Sequence, residues 1–177
     1  MTATTLYSAS IPVIRRALAN LSTVLDKGAE YFADKGVAEA EWLNARLAED
    51  MHPLLRQIQI ASDGAKGAAA RLSDQTPPSF PDDETSVADL QARIARTIAY
   101  LDSVPASAID GREDAHILLE IGDFAIHFTG ATYVRDFVVP NVLFHTTTTY
   151  AILRNLGVPL GKRDFLGDMD IRPRVTS

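Results

Sequence analysis

The chain has 177 residues, 46% of them apolar, so a sizeable core can be buried without covalent staples. It has no cysteine, which excludes disulfides, thiolate metal sites and a cysteine nucleophile. With 17 basic against 23 acidic residues the formal charge is −6, the wrong electrostatic footprint for a nucleic-acid partner.

Leu6, Val13, Ile14, Leu18, Leu21, Leu25 and Phe32 recur at helical spacing, predicting a first long helix over about Leu6–Asp34. Pro12 is tolerated only in a first turn, so regular helix is expected to begin near Ser10, or to kink there. Gly36 is the expected stop. A connector over Ala38–Leu47 should hold a short helical turn that packs Trp42, Leu43 and Leu47 inward. Asp50 reads as an N-cap, because Pro53 would fall in the first turn that it opens, and a second long helix is expected over about Met51–Leu72. Its small residues, Ala61, Gly64, Ala65, Gly67, Ala68 and Ala69, predict close approach by a neighbouring helix.

The segment Ser73–Glu84 carries Asp74, Pro77, Pro78, Pro81 and Asp82 and reads as a loop. Ser86 with Asp89 resembles a capping box for a third helix over about Ser86–Ser103, with Val87, Leu90, Ile94, Ile98 and Leu101 as its stripe. Rhythm then changes. His116–Ile121 and Phe124–Phe128 read as two strands around a Gly122-Asp123 turn, followed by a short helix over about Ala131–Phe137. The last long helix should start at Pro140 and end at Gly157, ahead of Pro159. Apolar or Thr residues lie nearly all around it, which predicts burial centrally or against a second subunit. From Gly161 onward the chain is polar and expected to be irregular, with a flexible tail over about 168–177.

The predicted fold class is therefore mainly α: one domain over 1–177, a four-helix bundle with a small β-hairpin before the last helix. No run approaches the roughly 20 apolar residues of a membrane span, and the N-terminus has no signal-peptide pattern. A soluble cytoplasmic protein is expected.

His145 lies mid-helix with Asn141 four residues before it and Thr149 four after, so the three share one face. A histidine there either binds a metal through a neutral imidazole nitrogen or is a core residue bonded to a neighbour. His52, with Glu49 three residues earlier, matches half of a di-iron Glu-x-x-His pattern. The apolar faces of the other helices offer no further carboxylates, which rejects a di-iron site. His116 and His127 sit on the hairpin and are not expected to be ligands. Arg56 and Gln57 are candidates to face Asn141, His145 or Tyr150 across the bundle, with Arg154 further along the last helix. Such a network would fix register or line a pocket. Gly-x-Ser-x-Gly, dinucleotide and phosphate-loop patterns are absent.

The run from Pro140-Asn141 through Phe144-His145, Tyr150, Ile152-Leu153-Arg154, Gly157 and Pro159 to Gly161-Lys162, Asp164-Phe165 and Gly167 resembles the signature of a bacterial domain-of-unknown-function family in the DinB/YfiT-like superfamily. Leu6-Tyr7, Leu25–Ala29, Ala45–Leu47 and Asp50-Met51 to Arg56-Gln57 resemble it too, so the likeness covers nearly the whole chain. The resemblance implies a four-helix bundle, commonly a homodimer, and in many superfamily members a divalent metal such as zinc or nickel on three histidines. Counting back from Arg154 and Gly157, His145 takes the place of the second histidine of the last helix, Asn141 that of the first, and His52 matches the remaining ligand. Asn is a poor ligand for zinc or nickel. The leading expectation is therefore a homodimer with a small pocket between the second and last long helices, lined by Arg56, Gln57, Asn141, Tyr150 and Arg154 and open to a small-molecule ligand. The alternative is a metal-dependent enzyme of thiol transfer or hydrolysis that holds its metal on His52 and His145.

Overall fold

Thr5 opens the first helix. Its hydroxyl accepts from the Ser8 amide at 3.2 Å, and the Ser8 hydroxyl accepts from the Thr5 amide at 2.8 Å, which satisfies two of the donors that a helix start leaves free. The computed structural model describes residues 4–169, so the tail expected from about 168 lies, from residue 170 onward, outside the described residues. Helix α1 runs over Leu6–Asp34 without a break at Pro12, contrary to the expected start near Ser10. Pro12 is exposed and so is Ser8, whose carbonyl loses its helical donor where water can replace it. The inward stripe includes Ile11, while Val13 points outward with 38% of its surface exposed.

Helix α2 is one turn, Glu39–Leu43, and stacks Trp42 on Phe32 with ring centroids 4.9 Å apart. Trp42 and Leu43 are buried as expected, but Leu47 is exposed. Helix α3, Leu54–Leu72, starts three residues later than the sequence suggested, with extended Pro53 at its N-cap and no side-chain cap from Asp50. The cause is steric: the helical region is disfavoured for a residue before proline, and a helix start, unlike the long α1 around Pro12, has no turns before it to hold His52 there. After the loop, Ser86 and Asp89 close the expected capping box on α4, Val87–Ser103.

Strands β1, His116–Ile121, and β2, Phe124–Thr129, pair antiparallel, with His116 opposite Thr129 and Leu118 opposite His127. Ile117 and Leu119 are buried on the body of the protein, and the residues between them face out. The chain then forms one helical turn, α5 (Gly130–Thr132), a wider π-helical turn over Tyr133–Val138, and α6, Val139–Asn155. The two helices expected here are thus one continuous path, its widened turn set just ahead of Pro140, which has no amide proton to donate. Gly157 leaves α6 at φ 94°, the left-handed geometry that favours glycine after a helix.

The segment after Gly161 is not irregular throughout. Lys162–Leu166 forms α7, which folds back on α1. Lys27 pairs with Asp164, Asn20 Nδ2 donates to the Phe165 carbonyl at 2.9 Å, and Arg16 Nη2 donates to the Leu166 carbonyl at 2.9 Å. Helices α1, α3, α4 and α6 enclose a single core, in which Leu18, Leu25, Leu54, Ile58, Leu90, Val142 and Leu153 are fully buried. The fold is a mainly helical four-helix bundle with a small antiparallel hairpin. No helix among the described residues is long and apolar enough to cross a membrane.

Candidate functional site

Helix α6 has two contrasting sides. One meets α3 along its small residues, where the approach is very close: a Cβ added at Gly64 would stand 2.9 Å from Asn141 Nδ2 and 3.6 Å from Val142 Cγ2. One turn on, His145 is buried against the same helix, and its Nδ1 lies 2.7 Å from Gln57 Oε1. Gln57 Nε2 donates to the His52 carbonyl at 2.9 Å. That bond fixes the amide, so its oxygen faces the imidazole and Nδ1 must carry the proton. Burial, with a smaller contribution from the nearby His52 charge, pushes the His145 pKa down to about 4. The ring is therefore neutral at physiological pH, with its lone pair on Nε2. Phe144 packs edge-on against it at 5.2 Å, and Thr149 Oγ1 donates to the His145 carbonyl.

The residues expected to line one pocket are spread over several places. Gln57, Asn141 and His145 meet at the α3–α6 contact. Arg56 turns the other way and donates to Gln59 and Asp82 at the loop before α4. Tyr150 faces α7, its ring 6.0 Å from that of Phe165. Arg154 is exposed and donates to the Val158 carbonyl at 2.7 Å, closing the end of α6.

The three-histidine metal centre implied by the family resemblance does not fit these residues. His52 lies outside α3 with its side chain exposed, and Asn141 occupies a ligand position, which leaves His145 Nε2 as the one buried imidazole donor among the three positions. Among the described residues, no three or more His, Asp or Glu side chains gather closely enough to hold a metal ion.

The second side of α6 faces α1 and α7, and there the surface opens into a recess of about 410 Å³. Val13, Ala17, Leu21, Leu143, Thr146 and Phe165 form its walls. Arg16 and Asn20 line it too, with Arg16 Nη2 and Asn20 Nδ2 each donating to an α7 carbonyl. The sequence offered no sign of this cavity, because it exists only where α7 returns to a helix almost 150 positions earlier.

Sequence reading also missed the largest buried polar cluster. Arg93 is completely buried on α4. Nη1 donates to both Glu84 oxygens at 2.9 and 3.1 Å and to the Pro81 carbonyl at 3.1 Å. Nη2 reaches Asp63 at 2.7 Å and Asp82 at 3.0 Å. Gln59 donates to the second Glu84 oxygen at 2.8 Å. Burial opposes the charge on Arg93, but its hydrogen bond to Glu84 and the charges of Asp63 and Glu84 outweigh it and hold the guanidinium above its ordinary pKa. The cluster ties the proline-rich loop to α3 and α4. One signal was available: Arg93 is three residues after Leu90, on the apolar stripe itself.

Comparison with known proteins adds the family. The domain-of-unknown-function family DUF1993 matches residues 6–166. The chain belongs to the DUF1993 family. No curated protein matches it. Among solved structures, a DinB family member protein from Shewanella denitrificans is similar to this DUF1993 protein at 36% identity over 96% of each chain, with a TM-score of 0.86. The family match over residues 6–166 runs from α1 through α7, and the structural likeness supports the DinB-like architecture. A shared fold does not carry a shared reaction.

Proposed function

We propose that this DUF1993 protein binds a small, largely apolar molecule in the recess between α1, α6 and α7, and that it does so as a homodimer. The observation that carries the reading is the recess itself. Its volume of about 410 Å³ falls within the range of ligand pockets, which are concave, mostly apolar and few per protein. The lining is apolar apart from Arg16 and Asn20, so selection would rest on shape and apolar contact, with the Arg16 guanidinium favouring an anionic group on the ligand. The α3–α6 contact, where a pocket was first expected, is instead filled by the Asn141, Gln57 and His145 side chains.

The homodimer part rests on the same face. Val13, Leu143 and Leu166 are all more than a third exposed beside the recess, and Phe144 is 55% exposed on α6. Large apolar side chains grouped on one face are the usual mark of an interaction surface. Pairing two copies there would cover the mouth of the recess and enclose its ligand.

Two measurements test these parts separately. Fluorescence titration with the amphipathic anion anilinonaphthalene sulfonate should show saturable binding that Ala17→Trp, which fills the recess, abolishes. Binding unchanged by that substitution would refute the ligand site. Sedimentation equilibrium should give a dimer that Phe144→Glu converts to monomer. A wild-type monomer at micromolar concentration would refute the dimer and leave the ligand site standing.

A further inference from the structure

The two hairpin histidines, set aside on sequence grounds, are brought together by the register. His127 faces Leu118, and His116 is one pair further along the same outward face. Their rings lie nearly parallel, 28° apart with centroids at 5.2 Å, and His116 Nε2 stands 2.9 Å from His127 Nδ1. Both residues are exposed.

We propose that this pair is a chelate for a first-row divalent cation, with copper(II) the preferred ion and nickel(II) the second. Two metal–nitrogen bonds of about 2.0–2.1 Å that meet at about 90° place their nitrogens about 2.9 Å apart, whereas a tetrahedral angle needs about 3.3–3.4 Å. The observed 2.9 Å is the spacing of a hydrogen-bonded pair, which already holds the two nitrogens near the separation that one ion needs. Copper(II) is preferred because it heads the affinity order of divalent ions on imidazole donors, with nickel(II) among those below it. Turning the two exposed rings toward a common point suffices to aim both lone pairs at one ion, and water completes the coordination. A paired strand holds the two donors in register, so the second imidazole binds at a high effective concentration once the first is engaged. The facing charges are mixed. Arg71, Arg112 and Asp74 border the shallow recess at His116, and Glu120 lies on the outward face two residues beyond Leu118. The guanidiniums weaken the affinity of the site, and the two carboxylates partly offset them. Both facing nitrogens must present lone pairs to the ion, so the proton now between the rings moves to the far nitrogen of its own ring by a switch of tautomer.

The test is a calorimetric titration of the whole chain with copper(II) at neutral pH, with electron paramagnetic resonance on the loaded protein. The expected result is one site with two imidazole nitrogens on copper, weakened about tenfold or more by either His116→Ala or His127→Ala. The double variant should bind no more than about twofold more weakly than either single one, because a chelate is lost with its first donor. His52→Ala should bind like the parent protein. Both hairpin side chains are exposed, so circular dichroism should show the fold unchanged in every variant. Parent-like affinity in either single hairpin variant, or a single-nitrogen copper spectrum, would overturn the proposal.

Discussion

The two sides of α6 are made from the same seventeen residues and do opposite things. Toward α3 the helix is sealed: Gly64 admits Asn141, and the one imidazole is bonded to an amide that is itself bonded to a carbonyl. Toward α1 and α7 it leaves space, with Leu143 and Thr146 in the wall of a recess of about 410 Å³. The sealed side carries the histidine that draws attention in the sequence, yet its Nδ1 is taken up by Gln57. The open side, lined by apolar residues with Arg16 and Asn20, has room for a ligand. Conspicuous chemistry in a sequence therefore marks structure here, and plain apolar residues mark the candidate site.

Substitutions can break this contrast, and the largest effect should come from the sealed half of the bundle. Arg93→Leu leaves the buried Glu84 carboxylate with only the Gln59 amide and Arg96 at 3.8 Å, and stability should fall by about 3–5 kcal/mol in urea unfolding. A loss below about 1 kcal/mol would place the cluster among solvent-screened surface pairs.

Next comes pH. His145 has a folded pKa of about 4, below the ordinary value near 6.5, so the unfolded chain binds its proton more readily. The contribution is complete above pH ~6.5 and is lost as pH falls toward ~4, a swing of about 3 kcal/mol at most. Carboxylates titrate in part of the same window, so the quantity to measure is the difference in pH dependence between the parent and His145→Gln. Equal slopes would mean that the ring is solvated when folded.

Gln57→Leu should cost about 1–3 kcal/mol, because it leaves the His145 Nδ1–H buried without an acceptor. On the open side, Leu143→Ala removes a partly exposed side chain and should cost only about 0.5 kcal/mol. If Leu143→Ala cost as much as Gln57→Leu, the two sides of α6 would not differ as described.

Much of this architecture was legible in advance. The span of α1, the Ser86 capping box and both strands follow from periodicity and turn residues, which are local signals. Errors arose where a local rule met a neighbour's constraint. Asp50 has cap chemistry, but Pro53 disfavours helix at His52 and moves the start of α3. Pro12 looked like a boundary, yet a helix of 29 residues with a solvent-facing proline absorbs one missing bond. Within the candidate site, the Gln57–His145 contact was readable as two polar residues on facing apolar stripes. The recess was not, because α7 docks onto Arg16, Asn20 and Lys27 through partners far away in sequence.

The reading of the open side stands on where a ligand sits. Titrating the isotope-labelled protein with anilinonaphthalene sulfonate and following backbone amide shifts by NMR maps that position directly. The largest shifts should fall at Ala17, Asn20, Leu143, Thr146 and Phe165, with Gln57 and His145 little changed. Shifts centred on Gln57 and His145, with the α7 amides unmoved, would contradict the account.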